Sequence, residues 1–82
     1  MTQLKWSKVQ RGGVATTQRE RWEAAHGTTT LAAWQSVEDG SWGYEIREQT
    51  ADVEQVETGG AASLQEAEDA AEARARDRNL LR

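Results

Sequence analysis

Residues 31–48, LAAWQSVEDGSWGYEIRE, decide the fold of this chain. Side chains alternate in character on either side of Asp39-Gly40, and Asp-Gly readily supplies the two positive-φ residues of a type I′ turn. The stretch therefore reads as a β-hairpin in which Val37 faces Trp42, Gln35 faces Tyr44 and Ala33 faces Ile46. With a side-chain period of two, Leu31, Ala33, Val37, Trp42, Tyr44 and Ile46 share one apolar surface. Such a surface needs a cover, and the C-terminal segment is the element able to provide it.

That cover begins at Ser63-Leu-Gln-Glu66, a capping box that opens a helix predicted over 63–79. Acids fill its first half and Arg74, Arg76 and Arg78 its end, which suits the helix macrodipole. Leu64, Ala67, Ala71 and Ala75 make a thin inward stripe with Ala70 beside it. Alanine lets a helix lie close on a sheet but buries little area, so the tryptophans are expected to supply most of the core. Asn79 to Arg82 is expected to fray unless Leu80 and Leu81 dock.

Upstream, Leu4 to Gln10 has the composition of a first strand, and Gly12-Gly13 offers a tight turn that would set Val9 opposite Thr16 and Trp6 opposite Arg19. The segment 14–26 admits two readings. As a helix it has a capping box, Thr17-x-x-Glu20, and a stop at Gly27. As a strand it pairs with residue 31 onward through a His26-Gly27 turn and places Trp22 opposite Leu31. The strand reading extends the apolar surface already built from the hairpin, and this agreement favours it. It also sets Arg19 between Trp6 and Trp34 on the other face, a cation–π arrangement that would equally serve as a contact patch or a homodimer surface.

After Ile46 the chain turns within 48–52 and returns as Val53 to Thr58. Strict alternation fails there, which a bulge or a short edge strand would explain, and its acids discourage strand-to-strand aggregation. Gly59-Gly60 is expected to end it. The fold expected is α+β: one domain over residues 1–82, with a small antiparallel sheet of three to four strands spanning 4–58 and one C-terminal helix on one face.

Composition narrows function. The chain has 82 residues, no cysteine, no proline and no phenylalanine, so neither a disulfide nor a thiolate metal site is open to it. It has no signal-peptide pattern and no apolar run of transmembrane length, so a soluble, cytoplasmic protein is expected with no membrane association. His26 is the only histidine and reads as a turn residue rather than a metal ligand. No nucleophile elbow, phosphate-binding glycine loop or apolar carboxylate pair is legible, so no enzyme and no cofactor are expected.

The net charge of −4 conceals segregation: residues 38–72 carry eleven acids against Arg47 alone, while residues 1–37 and 73–82 are each net +3. An acidic block repels phosphate and attracts basic partners. Nucleic-acid binding therefore ranks second, carried by Arg19, Arg21, Trp22 and the ARARDR run at 73–78. A helix at 17–26 would make the chain look like a double-stranded-RNA-binding domain.

Brevity, the lack of cysteine and catalytic sets, and acids concentrated on a compact sheet-and-helix body give the chain a general form that resembles small phage-encoded inhibitors, the anti-CRISPR and anti-restriction proteins. The resemblance covers general features of the whole chain and no motif. It implies a non-enzymatic accessory protein that blocks a host nucleic-acid-handling complex by binding a basic protein or nucleoprotein. The contact residues expected on physical grounds are Glu45, Glu48, Asp52, Glu54 and Glu57, with Trp34 as an anchor.

Overall fold

The computed structural model describes residues 4–10 and 17–81. The Gly12-Gly13 turn, Val14 to Thr16 and Arg82 lie outside these. Five strands and one helix follow in chain order: β1 (Ser7–Lys8), β2 (Gln18–His26), β3 (Thr29–Ser36), β4 (Trp42–Gln49), β5 (Glu54–Ala61) and α1 (Leu64–Asp77). The strands form one antiparallel meander in sequence order, and α1 packs on one face of it. The α+β class is as read from the sequence. The sheet has five strands rather than three to four and extends to Ala61.

Residues 18–26 are strand. Helix propensity in RERWEAA yields to long-range pairing, because a strand here completes the apolar face of β3 and β4. Three registers differ from those expected, two of them by an even step. The β2–β3 turn is Gly27-Thr28, with Gly27 at φ 62°, so Trp22 faces Ala33 and Ala24 faces Leu31. A positive φ at the first turn residue alone is the type II′ pattern, which moves the turn one residue along the chain. The β3–β4 connection is a wider loop: Ser36 N–H donates to Ser41 O at 2.8 Å and only Gly40, at φ 73°, enters the left-handed region. The Asp39 carboxylate accepts from the Ser41 amide at 3.0 Å and hydroxyl at 2.7 Å, which holds its pKa below the ordinary value and fixes the wider loop. Ala33 therefore faces Tyr44, Leu31 faces Ile46, and Val37 projects from the loop 47% exposed.

Both slips move a partner by two positions, and two positions preserve the face. Leu31, Ala33, Tyr44 and Ile46 accordingly lie under the helix. Leu31 and Ile46 are the largest fully buried side chains and cluster with Ala71 and Ala75 of α1, where Ala67 is also buried. The tryptophans do not supply the bulk of the core: all four are only partly buried. The alanine stripe seats the helix close enough that two aliphatics fill the space between.

The third slip has a different consequence. Ser7 faces Glu23 and Lys8 faces Trp22, whereas Trp6 had been expected opposite Arg19. The displacement is odd and reverses the face of β1. Trp6 lies on the helix side, where its Nε1–H donates to Glu72 Oε2 at 3.0 Å and its ring packs on the core cluster. Trp6 and Trp34 thus occupy opposite faces, and the Trp6–Arg19–Trp34 sandwich and the shared Trp6/Trp34 homodimer surface do not form.

Helix α1 opens as read: Ser63 Oγ accepts from Glu66 N–H at 3.2 Å and Glu66 Oε2 accepts from Ala62 N–H at 3.2 Å. Its end is held rather than frayed. Asn79 adopts φ 59° and Leu80 N–H donates to Ala75 O at 2.9 Å, a Schellman-type closure that lays Leu80 and Leu81 on the core.

Strand β5 also departs from expectation. It pairs with β4 without interruption from Glu54 to Ala61, so no bulge forms and Gly59-Gly60 continues the strand. Tyr44 accounts for Gly59: a β-carbon there would stand 2.4–2.6 Å from three atoms of its side chain. Val53 belongs to the turn, where its carbonyl accepts from Thr50 N–H at 2.9 Å.

Candidate interaction site

With α1 on one side, the other face of the sheet is left open. It is built from alternate positions: Arg21 and Glu23 on β2, Ala32 and Trp34 on β3, Gly43, Glu45 and Arg47 on β4, and Glu54, Val56, Thr58 and Gly60 on β5. Trp34 stands between Arg21 and Gly43. A β-carbon at Gly43 would fall 2.9 Å from Trp34 Cζ2, so the indole lies over the bare glycine backbone and is braced from below.

Ion pairs cross the strands beside it. Arg21 pairs with Glu23 at 2.6 Å and Glu45 at 3.3 Å, and Arg47 pairs with Glu45 at 3.2 Å and Glu54 at 2.9 Å. Arg21 and Glu45 are the sheltered members, with side chains 14% and 16% exposed. Partial burial strengthens the attraction relative to that between surface charges and raises the cost of removing one partner.

The acids expected to form one contact surface are divided by the sheet. Glu45 and Glu54 share the open face with Trp34. Glu48 and Glu57 point to the helix side, where Arg78 lies 3.8 Å from Glu48 and 3.1 Å from Glu57, and Arg74 also pairs with Glu57. That contact holds the Arg74 pKa above its ordinary value. Asp52 is exposed in the β4–β5 turn, and none of the ion pairs among the described residues involves it. Glu45, Glu48, Glu54 and Glu57 are thereby balanced within the fold, by Arg21, Arg47, Arg74 and Arg78.

Arg47 was missed as a site residue, and Arg21 entered only the nucleic-acid reading and not the protein-binding one. Arg47 follows Glu45 by two on one strand and must share its face. Arg21 joins Trp34 only once the β2–β3 register is known. Away from this face, a shallow cleft of about 270 Å³ lies at the opposite end of the helix from its N-cap, lined in part by His26, Thr29, Glu48 and Asn79. Among the described residues no group of three or more His, Cys, Asp or Glu is arranged to hold a metal ion, and no helix is long and apolar enough to cross a membrane. Compared with known proteins, the chain matches no family model, no curated protein and no solved structure.

Proposed function

We propose that this chain is a non-enzymatic protein-binding module that meets its partner with the open face of the sheet. The observation that carries this reading is Trp34, half-buried on the uncovered face, braced on Gly43 and set beside a balanced lattice of Arg21, Glu45, Arg47 and Glu54. Tryptophan and arginine on a pre-organised surface are the residue types on which binding energy concentrates. Glu45 and Glu54 belong to the contact and Asp52 to its rim, whereas Glu48 and Glu57 hold the helix. A net charge of −4 favours encounter with a basic partner. The sharpest form of the reading is a phage or mobile-element accessory protein that blocks a host nucleic-acid-handling complex.

The test is capture from bacterial lysate with and without nuclease, comparing the parent chain with Trp34→Ala and with Asp77→Lys on the helix. A partner retained by the parent and by Asp77→Lys, but weakened roughly 30-fold or more by folded Trp34→Ala, supports the reading, since a hot-spot truncation costs about 2 kcal/mol or more. Undiminished capture by folded Trp34→Ala sinks it. Material that vanishes with nuclease transfers the role to the arginines and to nucleic acid.

A further inference from the structure

The two edges of the sheet are treated differently. At one edge β1 is two residues long, ends in Lys8 and follows Lys5 closely, features that discourage another strand from adding there. At the other edge β5 presents eight residues with no lysine, no proline and no bulge. Its acids deter less than their number suggests, because Glu54 is paired with Arg47, and Glu57 with Arg74 and Arg78. Val56 on this strand is 50% exposed.

The turn leading into β5 identifies its free backbone groups. Thr50 N–H donates to Val53 O at 2.9 Å, so Thr50 and Val53 are a hydrogen-bonded pair. Bonded and non-bonded pairs alternate along an antiparallel ladder. Residues 55, 57, 59 and 61 therefore turn their N–H and C=O toward β4, and Glu54, Val56, Thr58 and Gly60 turn theirs outward.

We propose that β5 is a homodimerisation edge, on which a second copy of this chain adds its own β5 antiparallel, with Thr58 on the two-fold axis. The choice of a second copy rests on self-complementarity. A two-fold axis normal to the sheet keeps the faces matched, so residues of the same parity must meet. Placing Glu57 on the axis sets two carboxylates directly opposite each other, which is unfavourable. Placing Val56 there leaves Gly59 to Ala61 facing the turn of the other chain.

With Thr58 on the axis the edges fit. Thr58 meets Thr58, a favourable cross-strand pair. Val56 meets Gly60 of the second copy, where the position of a β-carbon has no neighbour within 4 Å. Glu57 meets Gly59, and no two acids are opposed. The outward N–H and C=O groups of Val56, Thr58 and Gly60 then pair across the axis. The result is a continuous ten-stranded sheet with both open faces on one side and the two Trp34 positions about 28 Å apart, taking about 4.8 Å per strand across the sheet and about 3.4 Å per residue along it. The association stands whether or not that face meets a partner.

Light scattering across a concentration series, together with amide exchange by NMR and the variant Thr58→Pro, tests this. The Thr58 N–H bonds nothing within one chain, so proline at that position spares the β4–β5 ladder and removes the central bonds of the dimer. The expected result is a mass that doubles with concentration. Amides 56, 58 and 60 become protected as it does so, while 55, 57 and 59 are protected throughout. Folded Thr58→Pro stays at the mass of one chain. A single-chain mass up to about 1 mM, or a doubled mass that survives in folded Thr58→Pro, overturns the proposal. If that variant does not fold, fast exchange at 56, 58 and 60 in concentrated parent chain overturns it as well.

Discussion

Tyr44 and Gly59 face each other across β4 and β5, and the tyrosine ring occupies the volume a side chain at position 59 would need. Trp34 and Gly43 repeat the relationship on the opposite face, one strand pair over. Each ring lies across a glycine backbone, which recovers packing that the glycine forgoes. The first of these pairs explains how a strand containing Gly59-Gly60 stays in register to its end.

Gly59→Ala and Gly60→Ala should therefore behave oppositely, although they are neighbours. Alanine at 59 displaces the Tyr44 ring from its seat against the core and should cost about 1–3 kcal/mol. A β-carbon at 60 meets nothing within 4 Å, and the residue has no positive φ, so the change should be neutral or stabilise by up to about 1 kcal/mol. Urea unfolding of the two variants measures this. Equal destabilisation would show that strand propensity, and not the ring, governs these positions.

Glu45 and Asp52, both counted among the acids of one block, should separate just as clearly. Glu45→Ala leaves the sheltered Arg21 with one partner fewer and should cost about 1–2 kcal/mol. Asp52→Ala, in an exposed turn, should stay within about 0.5 kcal/mol. Unfolding at low and high salt checks the account, because a neutral Glu45→Ala would place its ion pairs with ordinary screened surface charges.

The helix supplies a pH-dependent prediction. Partial burial, then the charges of Glu72 and Asp69, raise the Glu68 pKa above its ordinary value. The folded state then binds a proton more readily than the unfolded state, so stability is lost as pH rises through the folded-state pKa of this group. Glu68→Gln should remove that penalty, stabilising the chain near neutral pH by about 0.2–0.5 kcal/mol, the scale of a like-charge i,i+4 pair. The gain should fade below about pH 4, where both states are protonated. Thermal midpoints at several pH values test it, and a gain independent of pH would point to helix propensity instead.

What was legible in the sequence was parity and periodicity. The apolar residues of 31–46 specified their face even though both hairpin registers were displaced, because each displacement was even. The capping box at Ser63 and the stripe Ala67, Ala71 and Ala75 rest on contacts within a few residues of one another, and these stood unchanged. What was not legible depended on loop length and on residues brought from afar. The pairing of Ser7 with Glu23 set the face of Trp6, and the serines around Asp39 widened a turn that the dipeptide alone would have made tight. The candidate site divided for a related reason: spacing along β4 and β5 places Glu45 and Glu48 on opposite sides of the sheet, and linear charge density does not record sides.

The hydrogen bond from Trp6 to Glu72 joins positions 66 apart in the chain. On a ribosome, residue 6 is made long before residue 72, so the first strand has no helix to lean on until 66 further residues have been added. Strands β2 to β5 can zip in sequence as they appear, each onto its predecessor. Strand β1 is thus secured by a helix made after the whole sheet, and until then the growing chain carries an unburied indole.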